Sequence, residues 1–65
     1  MTLTVNGKEV ELEFTTVEEL VAHYQLKPEH VVVEVDGEII DRSRWQDYHL
    51  KSGSVVELVH FVGGG

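Results

Sequence analysis

The chain has 65 residues, no cysteine, 12 acidic and 5 basic residues, and a formal net charge of −7. That length holds one domain with a thin core, since a domain of this size buries only about 60% of its unfolded surface. The absent cysteines remove disulfides, thiolate nucleophiles and cysteine metal sites, and the negative charge argues against binding a phosphate backbone. Hydrophobic residues make up 42%, which favours a folded globule over a disordered segment. No apolar run approaches the ~20 residues of a membrane helix. The first residues lack the basic-then-apolar pattern of a secretory signal. A cytoplasmic protein without membrane or nucleic-acid partners is expected, a monomer when free.

Leu3 and Val5 alternate with Thr2 and Thr4, the period of a half-buried strand. Asn6-Gly7 follows, a strong signal for a two-residue hairpin turn with both φ angles positive. Val10, Leu12 and Phe14 then alternate with Glu9, Glu11 and Glu13. Residues 2 to 14 read as a β-hairpin with one core face and one wet, acidic face. Thr16 and Glu19 have capping-box spacing, with Thr15 as an alternative cap. Val17, Leu20, Val21 and Tyr24 form one helical stripe, opposed by Glu18, His23 and Gln25. Pro28 cannot continue a helix, so the helix is expected to end near Gln25 or Leu26.

His30 to Val35 is a β-branched run broken only by Glu34, suited to an interior strand, with Val31, Val33 and Val35 on one face. Asp36-Gly37 marks another turn, and Glu38 to Ile40 a short return strand. Asp41 to His49 reads as an irregular or single-turn helical loop. Trp45 is expected to pin that loop to the sheet with its N–H on a nearby acceptor. Lys51-Ser52-Gly53 is a further turn, and Val55 to Phe61 the last strand. The order β-β-α-β-(β)-loop-β is an α+β layer pair, one helix covering a four- or five-stranded sheet.

Three glycines, Gly63, Gly64 and Gly65, follow the last strand after Val62. They add no side chain to pack and little stability. What they offer is a thin thread, able to enter a channel that rejects side chains, ending in a carboxylate that activation turns into an acyl donor. An inert frayed end has the same composition, so the tail alone leaves both readings open. Beside it, Val56, Leu58 and His60 share one parity of the last strand; Val55, Glu57, Val59 and Phe61 share the other. If Val56 and Leu58 pack under the helix, Val59 and Phe61 project from the open face and form a docking patch.

Other sites are poorly supported. His23, His30, His49 and His60 match no metal-ligand spacing, so no metal site is expected. No nucleophile elbow, phosphate loop or dinucleotide fingerprint occurs, and no catalytic residue is assigned. Arg42 and Arg44 flank Trp45 and receive no function.

The short hairpin, single helix, further strands and free glycine terminus resemble the ubiquitin-like β-grasp proteins. The length and the ending Val59-His60-Phe61-Val62-Gly63-Gly64-Gly65 resemble the sulfur carriers of thiamine biosynthesis. Arg42 to Trp45 after an Ile-rich short strand, and Gly53 before the last strand, are similar to that family too. The third glycine departs from relatives that end in two, and Gly65 is taken as the reactive end. The resemblance implies a β-grasp domain over residues 1–62, with first and last strands parallel and adjacent, and a flexible tail over 63–65. It also implies a carrier and co-substrate rather than an enzyme. An E1-like partner would adenylate the Gly65 carboxylate with ATP, Gly63 and Gly64 threading into its active site. A persulfide sulfur donor would then supply the sulfur of a C-terminal thiocarboxylate, and thiazole synthase would receive it. No cofactor would be bound; ATP would be consumed by the partner. A molybdopterin-type carrier and a ubiquitin-like modifier share this tail chemistry. A small binding module with an inert tail is the alternative of another class.

Overall fold

The computed structural model describes residues 1–13 and 16–61. Within them the chain forms β1 (Thr2–Val5), β2 (Lys8–Glu11), α1 (Val17–His23), β3 (Val31–Val35), β4 (Glu38–Ile39) and β5 (Val55–His60). Both hairpins turn where the sequence reading placed them. Asn6 and Gly7 have φ of +50° and +82°, and Asp36 and Gly37 have +50° and +87°. Two successive positive φ angles match the right-handed twist of the strands they join.

The sheet runs β2-β1-β5-β3-β4. β5 lies at its centre, parallel to β1 and antiparallel to β3. The parallel pairing agrees with the arrangement that the β-grasp resemblance implies, and the five strands fall within the four or five expected from the element order. The helix packs on one face. Val17, Leu20 and Val21 are buried against a core that includes Leu3, Val5, Val33, Val35, Val56 and Leu58. Trp45 is buried as expected, and its Nε1 donates to the Ile40 carbonyl at 3.0 Å.

The helix is short, seven residues, and its stability depends on its ends. Thr16 Oγ1 accepts from the Glu19 amide, and the Glu19 carboxylate accepts from the Thr16 amide, a complete capping box. The next orphan donors go to the 41–49 loop: Val17 N–H to the Tyr48 carbonyl at 3.0 Å and Glu18 N–H to the Trp45 carbonyl at 3.2 Å. The loop held down by Trp45 thus caps the helix from outside.

At the other end the helix stops at His23, earlier than the expected Gln25 or Leu26. Gln25 adopts a left-handed φ of +57°. Its N–H donates to the Ala22 carbonyl, and Leu26 N–H donates to the Val21 carbonyl. This paired closure returns Leu26 to pack on the core, a better use of an apolar side chain than another turn toward Pro28. Tyr24, read as the last core position of the stripe, is consequently exposed.

Other boundaries shift modestly. β2 ends at Glu11, although Leu12 is still buried beside the Met1 strand end. The strand expected from His30 begins at Val31, because Pro28–His30 form a 3₁₀ turn. Phe14, expected in the hairpin's core face, and Thr15, the alternative cap, lie outside the described residues, as do Val62 and the glycine tail.

Candidate functional site

β5 delivers the chain to its C-terminal glycines, so its two faces and two edges decide what sits beside them. Toward the helix it contributes Val56 and Leu58, both buried. Toward the open face it presents Val55, 46% exposed, and Val59, 50% exposed, with Phe61 at 56% just beyond the strand. Val59 lies opposite the half-buried Val32, while Glu57 lies opposite Glu34, itself opposite the exposed Ile39. Cross-strand partners share a face. The open side is therefore an apolar stripe leading to the tail, interspersed with carboxylates.

Two of the carboxylates, Glu11 and Asp41, are tied into local hydrogen bonds. Glu11 is held below its ordinary value, first by a hydrogen bond from the Thr2 hydroxyl and then by the N-terminal amine. Asp41 is lowered by the Ser43 hydroxyl and amide, which it accepts while capping the 3₁₀ turn at Arg42–Arg44. Both shifts belong to structural caps at the surface.

The root of the tail is held on two sides. Phe61 N–H donates to the His30 carbonyl at 2.7 Å, the last link to the β3 side. On the β1 side, the backbone turns away at Asn6, but its side chain extends the ladder. Leu58 N–H donates to Asn6 Oδ1 at 2.7 Å, and Asn6 Nδ2 donates to the Leu58 carbonyl at 3.2 Å. One side-chain amide replaces a missing peptide unit. The end of the described chain is thus bonded on both sides beside an apolar stripe.

A sequence model of the ThiS family matches residues 3–65. The chain belongs to the ThiS family. The sulfur carrier protein ThiS of Bacillus subtilis (strain 168) is 43% identical over 65 residues, covering 97% of this chain and 98% of that protein. The crystal structure of the thiamine biosynthesis protein ThiS from Geobacter metallireducens superposes with a TM-score of 0.84 at 36% identity, covering all of both chains. A solution structure of the Geobacter protein gives 0.81, covering 100% of this chain and 88% of that one. These matches carry the β-grasp fold and the family of sulfur carriers for thiamine biosynthesis. A family of carriers implies partner enzymes in sulfur transfer.

Against that family, the positions singled out in the sequence divide cleanly. Val59 and Phe61, the expected docking pair, are both exposed. Gly63, Gly64 and Gly65 lie outside the described residues, although the family match runs through them. Folding brings two of the four histidines together: the rings of His30 and His60 lie 6.5 Å apart between centroids. Among the described residues no group of three or more His, Cys, Asp or Glu side chains is placed to hold a metal. Arg44 lies over the Tyr48 ring and 3.6 Å from Glu38, a surface brace for the capping loop. Also among the described residues, no helix is long and apolar enough to cross a membrane. The residue that sequence reasoning missed is Asn6. Its turn role was legible, but its partner Leu58 lies 52 residues away and no local pattern announces it.

Proposed function

We propose that this ThiS-family chain carries sulfur for thiamine biosynthesis on the carboxylate of Gly65. The observation that supports this most is the pairing of a central, doubly anchored β5 with a triple-glycine end inside the family match. In the first step the Gly65 carboxylate attacks the α-phosphorus of ATP in an E1-like enzyme, pyrophosphate leaves, and an acyl-adenylate forms. In the second, sulfur from a persulfide donor, reduced by a thiol to the level of hydrosulfide, attacks the acyl carbon. AMP leaves with one former carboxylate oxygen, and a thiocarboxylate remains. Thiazole synthase then accepts that sulfur.

The chain's own part is presentation, as a co-substrate. Gly63 and Gly64 thread a channel too narrow for side chains, because neither carries a Cβ. Val59 and Phe61 dock on the activating enzyme, since exposed apolar groups beside a reactive end gain most when a partner covers them. The net charge of −7 steers the chain toward basic grooves, at a rate that falls with salt. With no cysteine in the chain, no side-chain thiol competes for the sulfur. ATP belongs to the partner's active site.

The test is an intact mass of the full chain after incubation with ATP, a sulfide source and an E1-like activating enzyme. The expected result is a gain equal to one oxygen replaced by sulfur, absent when Gly65 is deleted. An unchanged mass with an enzyme that converts its own carrier would refute the proposal.

A further inference from the structure

We propose that the activating enzyme grips this chain at a second place, on the helix side of β5, by adding an extended segment that pairs with the backbone of His60 and sets an apolar side chain, flanked by a carboxylate, into the groove beside Lys8. The inference rests on the carrier reading above and concerns how the partner is recognised.

Two independent observations meet at one spot. The first is an unused strand edge. In the β5 ladder, Val55 and Phe61 bond toward β3, through Asp36 N–H to Val55 O and Phe61 N–H to His30 O. Val56 and Leu58 bond toward β1, through Asn6 N–H to Val56 O and the Asn6 side chain to Leu58. Alternation sends the N–H and C=O of His60 to the β1 side as well. There β1 has already ended, and neither group has a hydrogen-bond partner among the described residues. An unpaired edge with both a donor and an acceptor is what an added strand uses.

The second is the groove beneath that edge. It measures about 350 Å³ and is lined largely by Val10, Tyr24, Leu26 and Leu58, with Lys8 and His60. Lys8 lies opposite Val5 in the hairpin register, so it faces the helix side. It is exposed and forms no ion pair among the described residues. A strand lying beside His60 points alternate side chains to the helix side of the sheet, directly over this groove. The apolar lining selects an apolar side chain. The lone ammonium, in a chain of net charge −7, selects a neighbouring carboxylate. The groove lies on the opposite side of the sheet from Val59, so a partner using both would clasp the tail's root from two sides.

The test uses the full-length chain and the activating enzyme, with pyrophosphate release read against carrier concentration. His60→Ala removes the ring and keeps the N–H. His60→Pro removes the N–H too, while a proline there takes no bond from the β3 ladder. KM for His60→Pro should exceed that for His60→Ala by roughly 2- to 12-fold, the range of one hydrogen bond. Lys8→Glu should raise KM by roughly threefold or more, with kcat retained. In the unaltered chain, amide exchange at His60 should slow on adding the enzyme, a readout that holds even if the proline variant folds poorly. Equal KM for the two His60 variants in folded proteins, an unaffected Lys8→Glu, or unprotected His60 in the complex would each overturn the inference. If the unaltered chain were not adenylated at all, the carrier reading itself would fall.

Discussion

Replacing Asn6 offers the sharpest check on how β5 is held, because two variants separate its side-chain bonds from its backbone angle. Its side chain accepts from Leu58 N–H at 2.7 Å and donates to Leu58 C=O at 3.2 Å, and its φ is +50°. Asn6→Gly removes both bonds but suits the positive φ. Two bonds at about 1 kcal/mol each, less up to about 1 kcal/mol regained from the relaxed backbone, leave a loss of about 1–2 kcal/mol. Asn6→Ala removes the same bonds and keeps a left-handed angle that Ala adopts poorly, for a loss of about 2–4 kcal/mol. At about 4–8 °C per kcal/mol in so small a domain, the Ala variant should melt roughly 8 °C or more below the parent, with the Gly variant between them. Thermal melts by circular dichroism supply the ranking, and amide exchange at Leu58 supplies the location. If both variants melt with the parent, the Asn6 clamp contributes nothing. If Gly and Ala lose the same amount, the argument from φ is wrong.

Leu20→Ala should cost roughly 2–5 kcal/mol by chemical denaturation, since the side chain is fully buried under the sheet, and a near-parental midpoint would remove the helix from the core. Gln25→Gly should stabilise by about 0.5–1 kcal/mol because the left-handed helix end suits glycine; a lower melting point would show that the Gln25 side chain matters in itself. Phe61→Ala should weaken binding to the activating enzyme about tenfold or more while barely moving the melt, and a large stability loss with unchanged binding would make Phe61 structural instead. Gly64→Phe should fold normally yet gain no sulfur in the intact-mass assay, and conversion at the parental rate would refute a narrow channel. Glu11 is held low by Thr2 and the N-terminal amine, so its folded-state ionisation lies below the ordinary value of about 4.5. Its contribution is present above that value and is lost as pH falls through the lowered one. Glu11→Gln should therefore melt below the parent near neutral pH and converge with it in acid; a gap that widens in acid would reverse the sign.

What could be read from the sequence was whatever depends on near neighbours. The Asn6-Gly7 and Asp36-Gly37 turns, the Thr16–Glu19 capping box and the alternation of β3 and β5 are each fixed by residues within a few positions, and all are present. The helix end was placed too late because the stripe Val17, Leu20, Val21, Tyr24 continues in the sequence. The chain instead closes at Gln25, since returning Leu26 to the core outweighs one more turn. Trp45 is legible in the sequence as an anchor, but its effect on the helix is not. The Trp45 and Tyr48 carbonyls cap Val17 and Glu18 across 27 or more residues of chain, and sequence spacing does not encode such a meeting. Periodicity could not order the strands either; the parallel β1–β5 pairing came only with the family resemblance. The open-face stripe was legible because parity alone separates Val59 and Phe61 from Val56 and Leu58. The edge at His60 was not, because it depends on where β1 stops relative to β5.

The placement of β5 also bears on how a thin domain can carry a C-terminal run of glycines, which have no side chain to pack. On the proposed reading, an end that enters a partner's channel would be pulled and released there, and the strand it hangs from would take that load. Here that strand is central, bonded to β3 along Val55 to Phe61 and to β1 through Val56 and the Asn6 amide. Detaching its end means breaking bonds on both sides at Leu58 and Phe61 together, whereas an edge strand such as β2 would peel from one side. If the proposed reading holds, the glycines answer to passage alone, and the stability of the domain should not depend on its terminus. This separation requires that deleting residues 63–65 leave the melting point and the amide protection of Leu58 unchanged. Loss of either would mean that the tail is part of the fold it serves.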